Sequence, residues 1–374
     1  MTADSGRSPA SEPPVQSSQS RDSEPPVPSP QSRDSEPPVP SPQSPLDRIL
    51  IVRLGSLGDI VHALPAVAAL REAHPRATID WLVDARNLEL VRLVAVIDHV
   101  VVLERPTLGG WLDAIRILRR EPYDVAIDLQ GLVKSAVLAR ASGARRVVGF
   151  SIWHLRERSA RPFYSETAEP ATGHVIAKNF ALVARLGARE GVWRFPLAGV
   201  ASPALDAVRA RVGEGRFALL NPGAAWPNKR WPPDRFAAVA RFLRERYGWT
   251  SVALWGPGEE PLARAVAEQS AGAAFAAPPT AIGDLVELAR AAALMVSGDT
   301  GPLHVAGAAG TPLVGLFGPT DPARNGPWEA RDRTLSRYDR CGCHYRRRCR
   351  RAEWCLADIA VDEVTRAVEE RLTP

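Results

Sequence analysis

Short apolar runs alternate with stretches of helical spacing along most of the chain, and this alternation predicts an α/β fold. Runs without an internal polar alternation are typical of parallel strands buried on both faces. The predicted strands span residues 48–54, 79–83, 100–103, 123–129, 146–150, 217–220, 251–255, 294–296 and 311–317. The predicted helices span residues 60–73, 110–120, 174–186, 233–247, 280–292 and 359–372, with others beginning near Leu132 and Thr300. Repetition across two halves predicts two Rossmann-like domains that face a cleft.

The first 46 residues depart from this alternation. The segment SRDSEPPVPSPQ occupies residues 20–31 and recurs unchanged at residues 32–43. Proline, serine and charge without large apolar residues cannot bury a core, so we expect a disordered tail. The expected organisation is a tail over 1–46, an N-terminal Rossmann-like domain over 47–200, and a C-terminal domain over 201–374 that includes a Cys- and Arg-rich lobe and a closing helix.

Charge adds a basic body to this picture. The 374-residue chain has a net charge of +5, and the tail, with six acidic residues and three arginines, leaves +8 for the rest. A basic body suits nucleic acid, an anionic membrane surface or a phosphorylated substrate, or is merely a solvated surface. Residues 1–45 contain no apolar signal-peptide core, and no run of about 18 apolar residues occurs, so we expect a cytoplasmic protein.

The loop after the first strand carries a candidate base. Gly55 to Asp59, GSLGD, lacks the G-x-G-x-x-G pattern, which argues against a dinucleotide site. Asp59 lies at a helix start, where the helix dipole favours the ionised carboxylate that accepts a proton from an attacking hydroxyl. The alternative is a helix-capping aspartate. His62, one turn later, either orients Asp59, contacts the molecule that carries this hydroxyl, or lies on the helix surface. We favour a position on the helix surface.

Two segments of the second half suit a phosphorylated ligand. In residues 297–322, SGDTGPLHVAGAAGTPLVGLFGPTDP, a strand leads into a helix start where free N–H groups favour an anion. A capped helix after a buried strand is the alternative. Lys229, one of three lysines in the chain, lies between Trp226 and Trp231, and its ammonium suits a diphosphate.

These two segments, together with RILIVRLGSLGDIVHALPAVAALREAHP (48–75) and NPGAAWPNKRWP (221–232), resemble glycosyltransferase family 9. This family contains the bacterial heptosyltransferases of the lipopolysaccharide inner core. The resemblance covers residues 48–328, and DLQGLVKSA (128–136) is more similar to heptosyltransferase I than to heptosyltransferase II. It implies the GT-B architecture, with an N-terminal acceptor domain and a C-terminal nucleotide-sugar domain. It also places Asp128, Gln130 and Lys134 at the edge that faces the cleft.

The resemblance implies inverting transfer of heptose from ADP-L-glycero-D-manno-heptose to the 3-deoxy-octulosonate (Kdo) of lipid A. The resemblance makes Asp59 the general base. It also implies that no metal or other cofactor is required, because protein cations take the place of a metal ion. The donor contacts fall on Lys229, Glu260, Thr280, Asp299, Thr300, Gly301 and His304. The acceptor contacts fall on Ser56, Gly58, Gln130, Lys134, Arg156 and Arg158.

One difference from the sequence pattern of heptosyltransferase I leaves other functions open. Heptosyltransferase I can have threonines where this chain has Ala224 and Ala225, so either backbone N–H groups hold the phosphates or the donor differs. A heptosyltransferase II, a family 9 transferase of another sugar, and a non-catalytic nucleotide-sugar-binding protein remain alternatives. Because the implied acceptor is a lipid, we expect peripheral contact with the cytoplasmic face of the inner membrane and no nucleic-acid partner.

The only four cysteines lie within 15 residues, at Cys341, Cys343, Cys349 and Cys355. Their spacing, C-x-C-x5-C-x5-C, differs from the paired C-x-x-C of a zinc site, and disulfides are disfavoured in the cytoplasm. The sequence leaves metal binding open. A basic lobe is formed by interleaved Arg340, Arg346, Arg347, Arg348, Arg350 and Arg351.

Deletion of residues 1–45 should leave transferase activity unchanged. The tail has a net negative charge and should be repelled by the anionic membrane surface that presents the acceptor. The measurement is the turnover of the full and truncated chains on vesicles that contain the acceptor. A clear fall in turnover would show that the tail takes part in the reaction or in the approach to the membrane.

Overall fold

The computed structural model describes residues 46–170, 173–349, 351 and 353–373. Apart from Leu46, the predicted tail lies outside these residues, as does Arg350 of the predicted basic lobe. The described part contains two six-stranded sheets, and every strand pair within them is parallel.

The first sheet has the strand order β3-β2-β1-β4-β5-β6. Its strands are β1 (Arg48–Val52), β2 (Thr78–Asp84), β3 (His99–Leu103), β4 (Val125–Asp128), β5 (Arg146–Phe150) and β6 (Glu166–Ala168). Its helices are α1 (Leu57–Val61), α2 (Leu64–Ala73), α3 (Leu88–Arg92), α4 (Leu108–Leu118), α5 (Val133–Ala141) and α6 (Val175–Ala184). Ile49 of β1 pairs with both Ile79 and Val125, so the first apolar run forms the predicted central strand.

The second sheet has the order β12-β11-β10-β7-β8-β9, which repeats the order of the first sheet. Its strands are β7 (Phe217–Asn221), β8 (Thr250–Ala253), β9 (Ala274–Ala276), β10 (Leu294–Gly298), β11 (Leu313–Phe317) and β12 (Arg333–Ser336). Its helices are α7 (Pro203–Val212), α8 (Pro233–Tyr247), α9 (Glu260–Gln269), α10 (Ile282–Ala291), α11 (Gly301–Ala308), α12 (Pro322–Asn325) and α13 (Val361–Leu372). Such sheets bind ligands beyond the strand ends where the order reverses, which here means β1/β4 and β7/β10.

Proline explains where the predicted helix 60–73 is interrupted. It is two helices, α1 and α2, and Pro65 occupies the first turn of α2, where its missing N–H is not needed. The predicted linker over 192–204 ends in a helix start, because Ser202 caps α7 by accepting from the Leu205 N–H. β6, β9 and β12 were not predicted, since edge strands of three or four residues carry little periodicity.

The helix that was predicted to close the chain is α13, and its buried face is shared with the second sheet. Val364 and Val368 belong to the same buried cluster as Phe236 of α8 and Val314 of β11. A hydrogen bond between two helices joins the two halves. The Gly283 N–H at the start of α10 donates to the Glu89 carboxylate of α3 at 2.9 Å. Among the described residues, every helix falls short of the length or apolar character that crossing a bilayer needs.

Candidate active site between the two sheets

Asp59 is held at the start of α1 by contacts from its own loop. Its Oδ2 accepts from the backbone N–H and the hydroxyl of Ser56, each at 3.1 Å. Its Oδ1 pairs with the Arg53 guanidinium at 2.8 Å, and 18% of its side chain is exposed. The carboxylate is therefore fixed in orientation while an edge of it stays accessible.

The charge state of Asp59 follows from these partners. Burial alone would raise the pKa of Asp59, but the Arg53 guanidinium and the Ser56 N–H outweigh burial, with smaller effects from Arg324 and Arg156. The net result is a lowered pKa, so the group is ionised at neutral pH.

Arg53 was not singled out from the sequence, although it is the lone charge inside the apolar run ILIVRL. It is buried at the end of β1, where its guanidinium also donates to the Leu129 carbonyl. Among the described residues its Nε has no partner. An arginine buried at the tip of a central strand and paired with a loop carboxylate is the signal that marks this loop as a site.

Asp128 and Gln130 do not face the cleft as expected. Asp128 is fully buried and accepts from the hydroxyls of Tyr164 at 2.6 Å and Ser135 at 2.8 Å. Its burial raises its pKa. Gln130 is also buried, and its Oε1 accepts from the Leu54 N–H at 2.8 Å. Gln130 thus supports the loop that carries Asp59, whereas the Asp128 carboxylate is bound within its own half of the protein.

Asp299 gathers four side chains at the end of β10. Its carboxylate is 4% exposed and accepts from Lys229 Nζ at 2.5 Å, Thr320 Oγ1 at 2.6 Å, Asn325 Nδ2 at 2.7 Å and His304 Nε2 at 3.2 Å. Burial would raise its pKa, but the hydrogen bond from His304 and the Lys229 charge outweigh burial, and the pKa is lowered. Asp299 thus positions other site residues, and a ligand has little access to it.

Lys229 is fixed by Asp299 and one aromatic ring. Its Nζ also donates to the Asp299 carbonyl at 3.2 Å and lies 4.9 Å from the centroid of the Trp226 ring. Trp231, predicted as the second flank, is buried, and its indole N–H donates to the Ile359 carbonyl at 3.0 Å. Two of the three ammonium protons are engaged, which leaves one for a ligand.

The starts of α1 and α11 meet at two glycines. A Cβ on Gly58 would lie 2.4 Å from His304 Cδ2, and one on Gly301 would lie 2.7 Å from Leu57 Cδ2. Neither contact leaves room for a side chain. Asp59, Ser56 and Gly58 of the first half are therefore brought beside Gly301 and His304 of the second half.

Thr300 occupies the N-cap position of α11 without a side-chain capping bond, and its hydroxyl is held by Asn221 at the end of β7. Asn221 Nδ2 donates to Thr300 Oγ1 and to Ser297 Oγ, both at 3.0 Å. Asn221 was not predicted as a site residue; the NPG turn at the end of a buried strand is its signal. The Thr300 hydroxyl is engaged within the protein, so the N–H groups of the first turn of α11 remain the anion-binding feature.

The prediction that His62 lies on a helix surface is wrong. His62 is 2% exposed, and its ring centroid lies 4.4 Å from that of His304 and 5.4 Å from that of His174. Burial lowers the pKa of His62 well below its usual range and lowers that of His174 to about 4. His174 Nδ1 accepts from the Ile176 N–H, so the proton of the neutral ring is on Nε2. His174 Nε2–H donates to the Gly326 carbonyl at 3.0 Å. Both rings are therefore neutral packing groups between the two halves.

Two predicted donor residues are not brought to this cluster. Glu260 is 43% exposed and pairs with Arg264 at 2.7 Å on the surface of α9. Its neighbour Glu259 lies against the turn after β7, where a Cβ on Gly223 would be 2.1 Å from Glu259 Oε2. Thr280 precedes α10 in an irregular segment.

The predicted acceptor cations are exposed. Lys134 lies in the first turn of α5, Arg156 lies in the loop before a short 3-10 turn, Arg158–Phe163, and Arg158 is the first residue of that turn. The Arg158 guanidinium lies 5.3 Å from the Trp153 ring centroid. The charge of Arg156 makes a small contribution to the lowered pKa of Asp59.

Known proteins resemble the chain in sequence. The family model described as Glycosyltransferase family 9 (heptosyltransferase) matches residues 111–355. Lipopolysaccharide heptosyltransferase 1 of Pseudomonas aeruginosa is 30% identical over 298 residues, which is 75% of this chain and 81% of that protein. Lipopolysaccharide heptosyltransferase 3 of Escherichia coli is 26% identical over 288 residues, with 72% and 83% covered.

Solved structures share the fold. A glycosyl transferase family 9 structure from Veillonella parvula superposes with a TM-score of 0.74 at 23% identity, covering 87% of this chain and 97% of that one. The E. coli heptosyltransferase WaaC with ADP gives a TM-score of 0.68 at 24% identity, covering 86% and 97%. The two parallel sheets and this likeness confirm the predicted GT-B architecture.

The buried His174 should make stability depend on pH. Its folded-state pKa of about 4 lies below the unfolded value, so between these two pH values only the unfolded chain binds the proton. Stability is therefore lost as pH falls from about 6.5 towards 4, and His174 should account for about 2 kcal/mol between pH 7 and pH 5.

The measurement is urea unfolding at both pH values for the wild type and His174→Asn. Asparagine can still cap a helix but does not titrate. The loss of unfolding free energy between pH 7 and pH 5 should therefore be smaller in His174→Asn than in the wild type by about 2 kcal/mol. Equal losses in the two proteins would contradict a neutral, buried His174.

Proposed function

Because the chain belongs to glycosyltransferase family 9, we propose that it transfers heptose from ADP-L-glycero-D-manno-heptose to the Kdo of lipid A, with inversion. Membership of this family makes the protein a glycosyltransferase. The observation that carries the specific proposal is the meeting of Asp59 with the start of α11 at the Gly58–His304 contact. The loop that carries Asp59 thereby contacts His304 of α11, and both His304 and the Lys229 ammonium are bound to Asp299.

Asp59 acts as the general base. The acceptor hydroxyl gives its proton to the carboxylate while its oxygen attacks the anomeric carbon from the face opposite the leaving group. The bond from that carbon to the phosphate oxygen breaks, and ADP departs with the electron pair. A carboxylate of lowered pKa is a weak base, so the proton moves late, when the hydroxyl has become more acidic.

Lys229 and the first turn of α11 stabilise the diphosphate as it leaves. Lys229 is held in place by Asp299 before the donor arrives, and preorganised charge is usually the largest catalytic contribution. Protein cations and N–H groups replace a metal ion in this step. Support for a nucleotide-sugar donor comes from the related WaaC, which was solved with ADP and with ADP-2-deoxy-2-fluoro heptose.

Around the donor, we assign the ribose hydroxyls to Glu259 in place of Glu260, because Glu259 lies at the strand-end turn. Thr280 stays assigned to the nucleotide base. Ala224 and Ala225 offer no hydroxyl to the phosphates, and the Ala224 carbonyl already accepts from the Arg230 guanidinium at 2.8 Å. Backbone N–H groups of this loop therefore replace the side-chain hydroxyls.

The acceptor is assigned to the domain over residues 47–200, and the donor to residues 201–374. Lys134, Arg156 and Arg158 are exposed cations that suit the Kdo carboxylate and the lipid A phosphates, while Ser56 and Gly58 border the base. Gln130 supports this loop from within. Such an acceptor places the enzyme at the cytoplasmic face of the inner membrane as a peripheral protein, with no nucleic-acid partner.

A different acceptor position is the second candidate. The chain also matches a relative named heptosyltransferase 3 over 72% of its length, so an acceptor that already carries heptose has support. A heptosyltransferase II-like enzyme would use such an acceptor too.

The proposal is tested by ADP release from ADP-heptose with Kdo-lipid A as acceptor. Loss of a general base typically costs about 10²–10⁴-fold in rate, so Asp59→Ala should lower turnover by that range. Asp113→Ala, which removes an exposed carboxylate of α4, should leave turnover unchanged. Near-normal turnover in Asp59→Ala would refute the base, and product only with a heptosylated acceptor would select the second candidate.

The acceptor loop gives a separate prediction. Arg156→Ala combined with Arg158→Ala should raise the acceptor KM strongly and leave the donor KM unchanged, since both cations lie on the first half. Arg116→Ala, an exposed arginine of α4, is the matched control. Steady-state kinetics with each substrate varied in turn decide the matter. Equal effects on both KM values, or none, would show that this loop is only a solvated surface.

A further inference from the structure

The four cysteines of the chain come together although their sequence spacing is irregular. Cys341 Sγ lies 3.2 Å from Cys343 Sγ. Cys355 belongs to the same buried cluster as these two, and Cys349 packs against that cluster. All four are free thiols, and Cys349 alone is not fully buried. The chain between β12 and α13 thus folds so that every thiol it has reaches one place.

This lobe, residues 337–358, has little apolar core of its own, although Leu356 joins the core of the second sheet. Its regular structure in the described residues consists of two 3-10 turns, Tyr338–Arg340 and Cys355–Asp358. Its own buried cluster is made of the cysteines themselves. Small lobes that lack an apolar core are generally held by disulfides or by a metal ion.

The surroundings suit an anionic centre. The Cys343 N–H donates to Cys341 Sγ at 3.4 Å, and Asn228 Nδ2 donates to Cys343 Sγ at 3.6 Å. A divalent ion with four thiolates carries a charge of about −2, which N–H donors and nearby cations stabilise. Arg346 and Arg347 line a surface cavity together with Cys343 and Cys349, while Arg351 is paired with Asp358 at 2.7 Å.

We propose that Cys341, Cys343, Cys349 and Cys355 bind one divalent metal ion of the zinc or iron type, in a structural site separate from the reaction centre. All-thiolate tetrahedral sites select these ions. Each cysteine gives its proton to solvent as it binds, and no oxidation state changes.

The thiols must spread slightly to accept the ion. Two thiolates on one tetrahedral zinc stand about 3.8 Å apart, given Zn–S bonds of about 2.3 Å. Cys341 and Cys343 are closer than this, and as the side chains now stand no group of three or more His, Cys, Asp or Glu among the described residues is placed to hold a metal ion. Loss of the thiol protons and a movement of about half an ångström separate the two states.

The metal site would fix the loop that carries Lys229. Asn228 directly precedes Lys229, and besides contacting Cys343 it donates to the Arg346 carbonyl at 2.8 Å. Gly318 follows β11, and a Cβ there would lie 3.2 Å from Cys355 Sγ. A metal that rigidifies the lobe therefore rigidifies the turn that carries Lys229.

The test is the metal content of the purified, desalted full chain, measured by mass spectrometry of the elements. We expect one zinc or iron per chain. Replacement by cobalt should give the strong visible bands of a tetrahedral cobalt thiolate, a readout independent of catalysis. Cys349→Ser should lower the metal content sharply, whereas His344→Ala, an exposed residue of the same lobe, should keep it.

Three results would overturn the proposal. One is a reduced chain that stays free of metal after anaerobic incubation with zinc and then cobalt. Another is a pair of disulfides among the four cysteines in protein isolated without reductant, with no metal uptake after reduction. The third is full metal content in Cys349→Ser, combined with a cobalt spectrum that lacks thiolate bands. None of these depends on the donor or the acceptor, so the proposed transferase function is tested separately.

Discussion

The close approach of α1 and α11 is the constraint on which the candidate site depends. Two sheets built on the same strand order each end their central strand in a glycine-containing loop and a helix start. These helix starts meet because Gly58 and Gly301 carry no side chain, and His304 and Leu57 occupy the space that a Cβ would need. A base and an anion-binding turn from opposite halves can then act on one substrate pair.

Asp299 makes the proposed donor side of this site rigid before any ligand binds. One buried carboxylate holds a lysine of the turn before α8, a histidine of α11, a threonine after β11 and an asparagine of α12. Its charge is balanced within the protein, so it stays ionised despite burial. Groups held in this way need no rearrangement when the diphosphate charge develops, which is the condition for electrostatic catalysis.

The sequence was most informative where local signals suffice. β5 and α8 were predicted to the residue, the latter between Pro233 and Gly248. Prediction from the sequence failed where the partner of a residue lies far away in the chain. His62 looks like a surface residue until His304 packs on it, and Asp128 looks accessible until Tyr164 bonds to it. Asp59 and Lys229 were identified as charged groups at strand ends, but their partners Arg53 and Asp299 fix their roles only in three dimensions.

The most direct measurement is the single-turnover rate of Gly58→Ala, beside Gly109→Ala as a control in which the new methyl meets open space. Both proteins are first checked for cooperative unfolding and for ADP affinity. Displacing the base by about 1 Å can cost roughly 10²-fold in rate, so Gly58→Ala should be slower by that order while Gly109→Ala matches the wild type. Equal rates in all three proteins would contradict a reaction centre shared by the two helix starts.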